Sequence, residues 1–236
     1  MPSGIVEIVN KKNIKFKGYV TAPASGVYPG ILLLHQEFGI DANIRYIAEY
    51  LAANNYTVFV PDLFWRNIPG CEIDSSNNEK LLEINDILKK YNINDGLDDV
   101  TLCLKWLRET PQCNGLVSTI GYGIGSNLAY LSGLWLDIES SVCHNFKGYD
   151  FFDEKETYIR RPMLVHLSND CYKTLLEKKK NNFFENKQNI NLKIYDNCTG
   201  SFYRIADNLY NKEQTIIVNN FTLEHIKEAF AKPHTT

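Results

Sequence analysis

One α/β domain spanning residues 1–236, with a mostly parallel central sheet and helices on both faces, is the fold class this sequence predicts. Three observations predict it. Short apolar runs alternate with segments of helical spacing from one end of the chain to the other. Two of the runs, Gly30-Ile-Leu-Leu-Leu34 and Tyr56-Thr-Val-Phe-Val60, lack the polar alternation of a half-solvated strand, as expected of strands covered on both faces. A third run, Leu116-Val-Ser-Thr-Ile-Gly-Tyr-Gly-Ile-Gly-Ser126, passes through glycines straight into the helical pattern Asn127-Leu-Ala-Tyr-Leu-Ser-Gly-Leu-Trp135.

In chain order, 5–9 and 15–20 read as a strand pair joined by a turn at 10–13. After the loop 23–29 comes the strand 30–34, then a helix capped by Asp41, with Ile44, Ile47, Ala48, Leu51 and Ala52 on its apolar face. The strand 56–60 closes at Pro61-Asp62, and a long irregular segment, 63–78, follows. Helices are expected over 79–90 and 96–108, and further strands over 140–144, 163–167 and 192–195. The remaining helices fall at 173–182 and 222–230. Neither an internal repeat nor a linker interrupts this order.

Composition narrows the function classes. A formal net charge of −3 gives no electrostatic footprint for nucleic acid or a membrane surface. No apolar run approaches the roughly 18 residues of a spanning helix, and no charged-then-apolar leader is legible at the start, so a cytoplasmic protein is expected. Cys71, Cys103, Cys113, Cys143, Cys171 and Cys198 contain no Cys-x-x-Cys pair. Free thiols in a reducing compartment are expected, with neither a metal site nor a cofactor called for.

The stretch around Gly123 has the pattern Gly-x-Nuc-x-Gly of a nucleophile elbow, with Gly121 and Gly125 flanking and glycine at the centre. Around it, Phe38-Gly-Ile, Ile44-Arg45, Tyr56-Thr-Val-Phe-Val-Pro-Asp-Leu-Phe-Trp-Arg66, Pro69-Gly70, His166-Leu-Ser-Asn-Asp170 and Gly200-Ser-Phe-Tyr-Arg204 occur in order. Together these blocks resemble the dienelactone hydrolase family of the α/β-hydrolases. The resemblance implies a carboxylic ester or lactone hydrolase fold and assigns positions to its chemistry. The family's cysteine nucleophile falls on Gly123, its histidine on Gly200 and its triad acid on Asp170. Its glutamate falls on Gln36 by gapless matching, one residue before Glu37. The oxyanion amides fall on Ile124 and Glu37, and one carboxylate-binding arginine falls on Arg204; the other falls on Leu81, beside Lys80.

Acyl transfer by a triad needs a thiolate or alkoxide and an imidazole to move its proton. Glycine supplies neither, so the resemblance implies a hydrolase frame from which nucleophile and base are missing while Asp170 is kept. The expected function is a non-catalytic one: binding a small carboxylate, or offering an interaction surface to a protein partner that the sequence does not identify. The alternative is an ester or lactone hydrolase with a relocated Cys or Ser nucleophile. His35, at the end of a central strand, and His144, whose strand end should place either it or Cys143 at the rim of the site, are the candidate pocket histidines, the other reading of His144 being a satisfied, partly buried side chain. His166 reads as structural, and His225 and His234 as solvated. Cys171 and Cys198 flank the acid and histidine positions and are the candidate cysteines for an improvised Cys–His pair.

Overall fold

The computed structural model describes residues 2–9, 13–73, 78–147, 158–179, 184, 188–205 and 207–232. The strands are β1 (Ser3–Val9), β2 (Lys15–Thr21), β3 (Tyr28–Leu34), β4 (Thr57–Pro61), β5 (Cys113–Gly123), β6 (Ser141–Phe146), β7 (Tyr158–Ser168) and β8 (Gln188–Tyr195). The helices are α1 (Ala42–Ala53), α2 (Asn78–Lys90), α3 (Ile93–Glu109), α4 (Ile124–Trp135), α5 (Asn169–Lys179) and α6 (Lys212–Ala231). One sheet runs in the order β1-β2-β4-β3-β5-β6-β7-β8. Two compact units divide the chain at Thr119 and Ile120, so β5 begins in the first and ends in the second. The expected turn at 10–13 lies mostly outside the described residues.

In the first unit β1 and β2 are antiparallel, β2 joins β4 antiparallel, and β3 and β4 are parallel, with Gly30 opposite Thr57 and Leu32 opposite Phe59. Residues 31–34 and 58–60 are buried throughout, as their unbroken apolar runs require. Gly30 is small for a reason: a Cβ there would stand 3.0 Å from Cys113 Sγ and 3.1 Å from the Leu107 side chain, so α3 could not lie as close. Asp41 caps α1, its Oδ1 accepting from Ile44 N at 2.9 Å, as the sequence predicts.

Within the second unit β6, β7 and β8 are parallel, with Met163 opposite Ser141 and His166 opposite His144. Alternation then separates two faces. Gly133 of α4 abuts Ser141 Oγ and Met163 Cε on one, while His166 reaches Thr222 of α6 on the other. Helices therefore cover both faces here.

Several element boundaries differ from the sequence reading, among them those of β7, α5 and α6. β7 starts at Tyr158, earlier than 163, because Arg160-Arg161-Pro162 hides a strand whose register shifts between Tyr158 and Met163. α5 starts at Asn169, directly after β7, so Asp170 lies in a first helical turn and not in a loop. α6 starts at Lys212, ten residues before the expected 222. Its Thr215-Ile-Ile-Val218 run has weak helix propensity, but Asn211 Oδ1 caps Gln214 N at 3.1 Å and Val218 is buried.

Candidate functional site

The elbow is built without a single loop residue. β5 ends at Gly123 and α4 begins at Ile124, whose amide stands in the first helical turn with no side-chain cap on the helix. Reversing direction in so short a space demands an unusual backbone, and Gly123 supplies it with φ 55° and ψ −118°. Non-glycine residues enter that region only with strain. Gly121 answers a different demand. A Cβ there would fall 2.7 Å from Ser126 N and closer still to the Gly125 carbonyl. The Ser126 hydroxyl, fully buried, accepts from His144 N at 2.8 Å and stands 2.7 Å from Gly121 O. It ties the elbow to β6 and has no path to a substrate.

Around Asp170 the second unit closes a ring of hydrogen bonds. Gly200 N donates to both carboxylate oxygens, at 3.1 and 3.0 Å, and Ser168 Oγ donates to Oδ1 at 2.6 Å. Asn145 Oδ1 accepts from Ser168 N at 2.8 Å, and its Nδ2 donates to Gly200 O at 2.7 Å. The Asp170 carboxylate thus holds the backbone of Gly200. Gly200 has φ 51°, and a Cβ there would meet Leu209 Cδ1 at 3.0 Å. Asn145, itself at φ 46°, and Ser168 escaped the sequence reading. The tolerance of asparagine for the left-handed region is the one local hint of Asn145.

Arg204 follows in the same loop, with N donating to Ser201 O at 2.8 Å and its side chain 3% exposed. Leu81 and Lys80 lie in α2, but their side chains are outside the described residues.

One of Cys143 and His144 was expected at the rim, and both are buried, His144 being 1% exposed. Its ring lies flat between Tyr122, 4.2 Å away at 8°, and His166, 4.7 Å away at 14°, with Tyr203 edge-on at 5.8 Å. Neither ring nitrogen has a hydrogen-bond partner, and burial pushes its pKa down to about 3. His166 is structural in its contacts: Nδ1 meets Tyr195 Oη at 2.7 Å and Nε2 meets Thr222 Oγ1 at 3.2 Å. His225 is not solvated, since its Nε2 is buried and unpartnered. His234 lies outside the described residues.

In the first unit His35 is fully buried at the end of β3. Nε2 accepts from Leu63 N at 2.9 Å, so the proton sits on Nδ1, 2.6 Å from Gln36 O. Burial lowers its pKa and keeps it neutral. Nε2 fastens the end of β3 to the segment after β4 and Nδ1 is taken by the adjacent carbonyl, which leaves neither for a ligand. Gln36 is buried and Glu37 half-buried. The following segment is anchored where Trp65 Nε1 donates to Asp99 at 2.8 Å and Arg66 pairs with the same carboxylate.

None of the four described histidine rings hydrogen-bonds a cysteine or serine side chain. Cys143 and Cys198 are buried, and burial raises both thiols away from the thiolate. Among the described residues no three His, Cys, Asp or Glu side chains gather as metal ligands.

This strand order, with a strand running into a helix through a glycine-flanked elbow, defines an α/β hydrolase. The model of the dienelactone hydrolase family matches residues 16–230, and the chain belongs to that family. It is 26% identical over 215 residues to a carboxymethylenebutenolidase of Pseudomonas sp. (strain P51), covering 90% of each chain. Carboxymethylenebutenolidase 1 of Cupriavidus pinatubonensis is also 26% identical, over 230 residues, with 95% of this chain and 96% of the relative covered. The crystal structure of a dienelactone hydrolase from Anabaena variabilis shares the fold with TM-score 0.66 at 15% identity, covering 96% of this chain and 97% of the other.

Proposed function

We propose that this chain is a member of the family that does not hydrolyse esters by the triad and that its retained site binds a small carboxylate. One observation carries the reading. Asp170 is engaged by the backbone amide of Gly200, where a triad would present an imidazole, and the elbow position is Gly123. Triad members act as a unit, so with nucleophile and base both absent the acid has nothing to orient. What persists is electrostatic: the uncapped start of α4 at Ile124 and the buried cation of Arg204 suit an anion.

Two assays test this. Turnover of p-nitrophenyl acetate should stay at the buffer rate, and a fluorophosphonate probe should leave the chain unlabelled. A panel of small mono- and dicarboxylates should include one that raises the melting temperature, with the shift lost in Arg204→Gln. Ester turnover abolished by a single substitution would overturn the non-catalytic half; no carboxylate response would overturn the other.

A second reading is favoured by the names of the relatives, which are carboxymethylenebutenolidases. On it the chain would be an ester or lactone hydrolase with a relocated Cys or Ser nucleophile, which stoichiometric probe labelling would locate by peptide mapping. The free state of all six cysteines, and the absence among the described residues of a helix long and apolar enough to cross a membrane, support a cytoplasmic setting for either reading.

A further inference from the structure

Beneath α6 the second unit buries a layer of imidazoles that the anion site does not use. Tyr122, His144, His166 and Tyr195 come from β5, β6, β7 and β8 in turn and form a ladder across four neighbouring strands. Helix α6 packs on the His166 rung, where Thr222 bonds the ring and His225 stands close to it. At His144 and His166 no neighbouring group favours a positive charge. His144 and the Nε2 of His225 have no hydrogen-bond partner, and a charge on either would oppose one on His166.

We propose that this layer is an acid-sensitive latch: while its imidazoles are neutral it seats α6 on the sheet, and when they charge α6 comes away before the strands beneath it separate.

The groups facing each imidazole set the direction. His144 meets Tyr122, His166 and Tyr203, none of them anionic at neutral pH. His166 meets Tyr195, Thr222, His144 and His225, with Lys193 of β8 adding further positive charge. His225 meets the backbone of Pro162 and Ser141, and Glu228 on its own helix offsets part of the cost of a charge. Burial outweighs that help, so all three imidazoles are held below the ordinary 6.5. An unfolded or detached imidazole charges near 6.5 while the seated one stays neutral. Stability is intact above that pH and falls as the pH drops through it toward the seated values. The helix leaves first because it is tied down by only part of one face, Val218, Thr222, Ile226 and Ala229, and its departure brings water to His166 and His225 together.

Hydrogen exchange read by mass spectrometry on the whole chain, as protection factors from pH 7.5 to 4.5, tests the latch. Peptides of α6 should lose at least tenfold protection by pH 5 while peptides of β6 and β7 keep theirs. Retained α6 protection at pH 4.5, or simultaneous loss in helix and strands, would overturn the proposal. In His144→Phe, which keeps the stacked ring and removes the titration, and in His225→Leu, the α6 transition should move down by at least half a pH unit. An unmoved transition in both would also overturn it. Should either variant not fold, the wild-type profile decides by itself.

Discussion

Two glycines two residues apart in the elbow are required for different reasons, and substituting alanine at each separates them. At Gly123 the backbone sits at φ 55°, ψ −118°. Holding an L-residue there costs about 1–3 kcal/mol, while alanine recovers about 0.4–1 kcal/mol by restricting the unfolded chain. The expected net loss for Gly123→Ala is about 1.5 kcal/mol. For a chain of this length that corresponds to a melting temperature lower by roughly 3–6 °C. At Gly121 the backbone is ordinary but the space is closed: a Cβ would meet Ser126 N at 2.7 Å and the Gly125 carbonyl closer still. Both are backbone atoms at the start of α4, so the helix itself must move away from β5. Gly121→Ala should therefore cost more than about 3 kcal/mol, in the range of severe core substitutions. Calorimetric melts of the two variants beside the parent chain provide the check. A Gly123→Ala chain as stable as the parent, or a Gly121→Ala chain milder than Gly123→Ala, would refute the reasoning.

Asn145→Ala removes the acceptor for Ser168 N and the donor to Gly200 O, and should lower stability by about 2–3 kcal/mol in urea unfolding. Limited proteolysis of that variant should cut first within 196–204, the loop the ring fastens. Asp99→Ala strands Trp65 Nε1 and the Arg66 guanidinium, so a loss of about 2–4 kcal/mol is expected by chemical denaturation, with Asp99→Asn clearly milder because it still accepts from the indole. Gly123→Cys should be alkylated by iodoacetamide yet give no turnover of p-nitrophenyl acetate, since none of the described histidine rings bonds a cysteine or serine side chain.

The strand–helix alternation, the elbow and the two glycines were legible from local pattern, because buried parallel strands and a loopless turn each leave a strong mark on composition. The roles of the histidines were not. His35 and His144 both end apolar strands in the sequence, yet one is consumed by Leu63 N and the Gln36 carbonyl while the other is stacked and unpartnered. Those fates are set by a residue 28 positions away in one case and by rings on two neighbouring strands in the other.

From sequence alone came the kind of fold, its family resemblance, and the reading that glycine stands where that resemblance would put a thiol and an imidazole. Those are readings of which residues stand in which order along the chain, and the motifs and the resemblance they carry suffice for them. Only the folded chain decided what the remaining groups do. Asp170 turned to the Gly200 amide, and His144 and His166 were buried with His225 of α6 beside His166, because hydrogen-bond partners and burial depend on residues brought together from distant parts of the chain.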